Sequence, residues 1–139
     1  MEKIKKFLGT NLAFFIILTV AVFAIYGKTI NYEFTEYDDN ALITRNIHYF
    51  SEIKNIPELF KTSCYYSTLY SYYRPILNLS FAIETMSAGY NPKVYYLSNI
   101  ILFILSIYLM YVFLSRLKQN TFILKFICLL IAIHPIFTS

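Results

Sequence analysis

Asp38 and Asp39 are adjacent carboxylates within Glu36-Tyr37-Asp38-Asp39-Asn40, and the apolar run 7–26 ends twelve residues before them. A carboxylate pair just outside a bilayer can supply a general base or hold a divalent cation through oxygen ligands. The same residues also suit a turn, since Asp and Asn side chains fold back on their own backbone. Arg74 stands in Tyr72-Tyr73-Arg74-Pro75. Its planar guanidinium matches a phosphate, and Pro75 marks the mouth of a helix, where anions are favoured. The alternative for Arg74 is contact with lipid headgroups. His134, in Ile133-His134-Pro135, and Asn99 fall inside apolar runs. An ionisable group there is a functional candidate, although a helix-end His and an interhelical Asn also serve packing. Tyr73 closes the Tyr-rich stretch 64–73, whose rings either stack on sugars or form an interfacial belt.

These residues need elements to carry them, and composition says what kind. Only 14% of the 139 residues are charged while 58% are hydrophobic, which points to an integral membrane protein rather than a soluble domain. The net charge of +4 reads as membrane topology. Nucleic-acid binding is not expected, because Lys and Arg do not cluster beyond the first six residues. Cys64 and Cys128 have no disulfide or metal spacing.

The apolar runs predict an all-α integral membrane protein with three transmembrane helices, about 7–26, 96–114 and 122–137. A spanning helix needs roughly 20 apolar residues and at least about 17. Lys3, Lys5 and Lys6 precede the first run, and Arg116, Lys118 and Lys125 surround the gap between the second and third. The positive-inside rule puts these in the cytoplasm and leaves 27–95 as an extracytoplasmic loop. A signal peptide with a weak cleavage site at 22–24 is the rival reading of the N-terminus. The loop should be partly helical. A short amphipathic helix is expected over 53–61 with Pro57 in its first turn, and a second over 75–86 opened by Pro75. Both should lie along the membrane surface, with a turn at Gly89 and Pro92. Asn78-Leu79-Ser80 fits a glycosylation acceptor pattern, which we read as a coincidence inside a helix.

Taken in order, Tyr37-Asp38-Asp39 with Ile43 and Asn46, Tyr73-Arg74-Pro75 with Ser80, Gly89-Tyr90-Asn91-Pro92 leading to Asn99, and His134-Pro135-Ile136 resemble one family. The chain is similar to the N-terminal part of a polytopic GT-C glycosyltransferase. The branch it most resembles is the O-mannosyltransferase-like proteins that carry a tetratricopeptide-repeat half. Two family histidines are replaced, by Phe103 and Phe137. The resemblance implies an inverting transferase in the bacterial cytoplasmic membrane. It would move a sugar, mannose in that branch, from a polyprenyl-phosphate donor to a protein hydroxyl or a glycan. Asp38 would take the acceptor proton, Asp39 would orient the acceptor or a divalent cation, and Arg74 would neutralise the departing phosphate. Tyr73, Asn99 and His134 would line the site. Such enzymes have more than three spans and a repeat half, so 1–139 is expected to be an N-terminal fragment without activity alone. The competing expectation is a small non-enzymatic membrane protein serving interaction or assembly.

Overall fold

The computed structural model describes residues 2–64, 72–117 and 120–134, with side chains from Asn11 onward. Among the described residues there is no strand. The α-helices are α1 (Glu2–Tyr26), α2 (Asp38–Leu42), α3 (Ile47–Phe50), α4 (Ile56–Leu59), α5 (Pro75–Ala88), α6 (Pro92–Ser115) and α7 (Thr121–Ile133). They fall into two compact units, Met1–Thr29 with Leu97–Ser139, and Ile30–Tyr96. Helix α6 begins in the second and continues in the first.

The long-helix unit is built from three apolar helices. Buried residues recur every fourth position on α1 (Leu18, Val22, Tyr26) and on α7 (Leu124, Cys128, Ala132), giving each helix one packing stripe. These two helices pack on one another. Small Cys128 and Ala132 permit close approach, and the Tyr26 hydroxyl donates to the His134 carbonyl at 3.4 Å. Contacts between α1 and α6 include several ring pairs. Phe15 meets Tyr108 and Tyr111 edge to face at 5.0 and 5.2 Å, and Tyr26 meets Phe103 at 5.9 Å. Two serine hydroxyls on α6 are satisfied locally, Ser106 and Ser115 donating to the Leu102 and Val112 carbonyls.

Residues 11–31 and α6 are long and apolar enough to cross a membrane. Much of their apolar surface faces outward, including Ile17, Val20, Leu109 and Phe113. The third apolar helix is shorter than the expected 122–137. It starts at the Asn120 cap, whose side chain accepts from the Phe122 N–H at 2.9 Å, and covers 13 residues. Its end has a covalent reason. His134 precedes Pro135, and the residue before proline is pushed from helical to extended backbone, as the His134 ψ of 123° shows. Residues 135–137 of the expected span lie outside the described residues.

The second unit packs short helices around Phe50, Leu59, Phe81 and Tyr95. Their brevity follows from local chemistry. The expected helix 53–61 is a 3₁₀ turn (Ile53–Asn55) followed by the single turn of α4. Pro57 has no N–H to return to the Ile53 carbonyl, which takes the Ile56 N–H in a tighter turn. Asparagine amides join the pieces: Asn46 donates to the Ala41 and Leu42 carbonyls, and Asn55 to the Tyr49 carbonyl. Helix α5 begins at Pro75 as expected and runs two residues past the expected 86. It stops at Gly89, whose φ of 60° terminates the helix. The expected membrane helix 96–114 starts earlier, at Pro92, where proline suits a first turn. Inside this core the Thr85 and Tyr95 hydroxyls are 2.6 Å apart. Cys64 and Cys128 are both buried free thiols.

Candidate functional site

Asp38 and Asp39 open α2, where negative charge in the first turn is stabilising. The pair divides into a fixed and an open carboxylate. Asp39 Oδ2 accepts from the Thr35 N–H at 2.9 Å and the Thr35 hydroxyl at 3.1 Å. The Tyr96 hydroxyl lies 3.2 Å from the same oxygen and 3.0 Å from the Glu33 carbonyl, so its one proton serves either. Asp38 is exposed, as is its neighbour Tyr37. Among the described residues no side-chain partner of Asp38 is found.

Arg74 precedes α5 and is exposed. Its guanidinium carbon lies 5.6 Å from the Tyr72 ring centroid, within cation–π range. Two contacts fasten its segment. The Cys64 N–H donates to the Tyr72 carbonyl at 2.7 Å, and the Tyr73 hydroxyl donates to the Phe60 carbonyl at 2.7 Å. Tyr73 therefore anchors by its hydroxyl while its ring stays exposed. Of the Tyr-rich stretch, 65–71 lies outside the described residues. Arg74 and the acidic pair belong to the same compact unit, and no ion pair joins them.

Asn99 and His134 belong to the long-helix unit. Asn99 is exposed on α6. His134 closes α7, its backbone N–H donating to the Ile131 carbonyl at 3.3 Å. Among the described residues no group of three His, Cys, Asp or Glu side chains converges to hold a metal ion. Asp38 and the free oxygen of Asp39 are suited by donor chemistry to a hard cation that takes only one or two protein carboxylates.

Several residues of the motif strings have structural work. Ile43 is buried, and Asn46 ties α2 to the next turn. The Ser80 hydroxyl donates to the Leu77 carbonyl, Gly89 ends α5, and Asn91 Oδ1 accepts from the Lys93 N–H at the start of α6. Asp38 and Arg74 have no such duty, which leaves them as the groups available for chemistry. Two members of the arrangement were missed at the sequence level, Thr35 and Tyr96. Thr35 lies four residues before Asp39 and was open to a local reading. Tyr96 lies 57 residues away and carries no local signal. Asn78 of the acceptor pattern is wholly buried, which agrees with reading the pattern as a coincidence. No family model, no curated protein and no solved structure matches this chain.

Proposed function

We propose that residues 1–139 are the N-terminal part of a GT-C type membrane glycosyltransferase, with three spans and the 27–95 loop on the extracytoplasmic side. The donor is a polyprenyl-phosphate sugar, mannose by resemblance, and the acceptor a protein hydroxyl or a glycan. The observation that carries the reading is the division of labour within the acidic pair. Asp39 is held by Thr35 and Tyr96, while Asp38 beside it stays exposed. A fixed carboxylate next to an open one separates positioning from proton transfer. Two apolar helices of membrane length support a lipid-linked donor. The 13 residues of α7 reach about 20 Å, so its crossing requires a locally thinned bilayer or continuation beyond Ile133.

In the proposed reaction the acceptor oxygen attacks the anomeric carbon as the bond from that carbon to the phosphate oxygen breaks. Asp38 takes the acceptor proton, and the bonding pair leaves with the polyprenyl phosphate. Arg74, whose guanidinium lies over the Tyr72 ring, meets the charge that develops on the phosphate. A divalent cation, if used, would be held by Asp38 and Asp39 and would supply further charge neutralisation at the phosphate. The exposed rings of Tyr37 and Tyr73 offer apolar faces for a sugar.

The test is sugar transfer from a labelled polyprenyl-phosphate mannose to a hydroxyl-bearing peptide in membranes expressing the whole gene. Transfer should depend on Asp38. Transfer indifferent to Asp38→Asn, in protein shown to be inserted, would withdraw the catalytic assignment and return Asp38 to a turn residue.

A further inference from the structure

The long-helix unit contains a cleft of about 430 Å³ that the proposed transfer chemistry does not use. Leu12 and Phe15 of α1 face Tyr108 and Val112 of α6 across it, and Ser115 and Arg116 stand at one end. The spacing 108, 112, 115 keeps the α6 contributors on one face. The cleft has a structural cause. Phe14 and Phe15 hold α1 against α6 through ring contacts, with centroids 5.0–6.0 Å from those of Tyr108 and Tyr111. Bulky rings at one level leave a groove beside them. The Tyr111 hydroxyl donates to Asn11 Oδ1 at 3.1 Å, so these two lining groups satisfy each other. The remaining lining is mostly apolar and aromatic, and the volume is that of a ligand site.

Charge identifies the occupant. From Asn11 onward the long-helix unit contains no Asp or Glu, yet it carries Arg116 at the cleft. Lys125 adds a second cation beside the same ring cluster, its ammonium 5.4 Å from the Phe14 centroid. Among the described side chains of the unit no carboxylate pairs with Arg116, which is exposed. An apolar groove lined at one end by an exposed arginine matches an acyl chain joined to a phosphate headgroup. We infer that this cleft binds an anionic diacyl phospholipid, with one acyl chain along Phe15, Tyr108 and Val112 and the headgroup phosphate on Arg116. The inference rests on the membrane placement proposed above and is separate from the transfer chemistry.

The test is retention of lipid by the full chain in non-ionic detergent. Equal amounts of phosphatidylglycerol and phosphatidylcholine with identical acyl chains are added, and bound lipid is counted by native mass spectrometry. The expected result is one phosphatidylglycerol held in preference to phosphatidylcholine. Arg116→Gln should lower that preference about fivefold, the effect of one basic residue at an anionic headgroup. Lys28→Gln, a cation of the same unit that does not line the cleft, should leave it within about twofold. Val112→Trp should fill the groove and abolish retention while leaving the helical circular dichroism unchanged. Equal retention of both lipids by protein that resists a carbonate wash of membranes would overturn this inference and leave the membrane reading standing. Release by the wash would overturn both. An equal loss in Lys28→Gln, or one-for-one displacement of phosphatidylglycerol by polyprenyl phosphate, would also overturn it.

Discussion

The side chain on which the proposed chemistry turns is Asp38, and its standing depends on what Asp39 does. Because Asp39 is engaged by Thr35 and Tyr96, Asp38 is the carboxylate free to approach a hydroxyl. Asp38→Asn should lower turnover by roughly a hundredfold or more, the scale of a lost general base, without disturbing insertion. Arg74→Lys should also impair turnover, since an ammonium keeps the charge but loses the two-pronged geometry for phosphate. Steady-state sugar transfer measures both, and wild-type rates in Arg74→Lys would mean that charge alone suffices. A different residue-scale test concerns Asn78. It is 0% exposed, and neither amide atom has a hydrogen-bond partner among the described residues. An unsatisfied buried amide destabilises, and Ala is the better helix former. Asn78→Ala should therefore stabilise by about 1 kcal/mol after the small cavity is counted, read from the thermal unfolding midpoint. A lowered midpoint would show that Asn78 is engaged in the native protein.

Among the elements, the junction between α5 and α6 is the most sharply defined. Gly89 adopts φ 60° and ψ −139°, a region open in practice only to glycine. An added Cβ would meet no atom there, so the cost of a side chain is purely that of the backbone. Gly89→Ala should destabilise the 30–96 unit by about 1–3 kcal/mol. Faster limited proteolysis around residues 89–92 is the readout, and unchanged proteolysis would mean that the turn adopts another backbone. Nearby, the buried Thr85–Tyr95 hydrogen bond joins the same two helices. This junction was legible beforehand because Gly and Pro act on their own dihedrals. Over 53–61 the same local rules reach only part of the way: Pro57 does stand in the first turn of a helix, but that helix is α4, and the residues before it form a separate 3₁₀ turn. His134-Pro135 likewise contained the end of α7, hidden behind an apolar run that continues to Phe137.

For the whole molecule the testable quantity is topology. In a background with Cys64 and Cys128 replaced, a cysteine at exposed Ser51 should react with an impermeant reagent from outside, and one at exposed Leu117 should not. The reverse pattern would remove the proposed orientation and with it the placement of Asp38. The long apolar helices were readable from the chain itself because a membrane helix satisfies its own backbone, so length and hydropathy within one segment suffice. The positions of Arg74, Pro75 and Gly89 at element ends were readable for the same reason, each being decided by its neighbours, whereas the helix that Asp38 opens was not expected. Tertiary structure alone decided that Tyr96 meets Asp39 across 57 residues, that Asn78 is enclosed, and that Phe15 wedges α1 against α6 beside a cleft. Those facts depend on which surfaces meet after the helices have formed, and no rule of sequence spacing reaches that far.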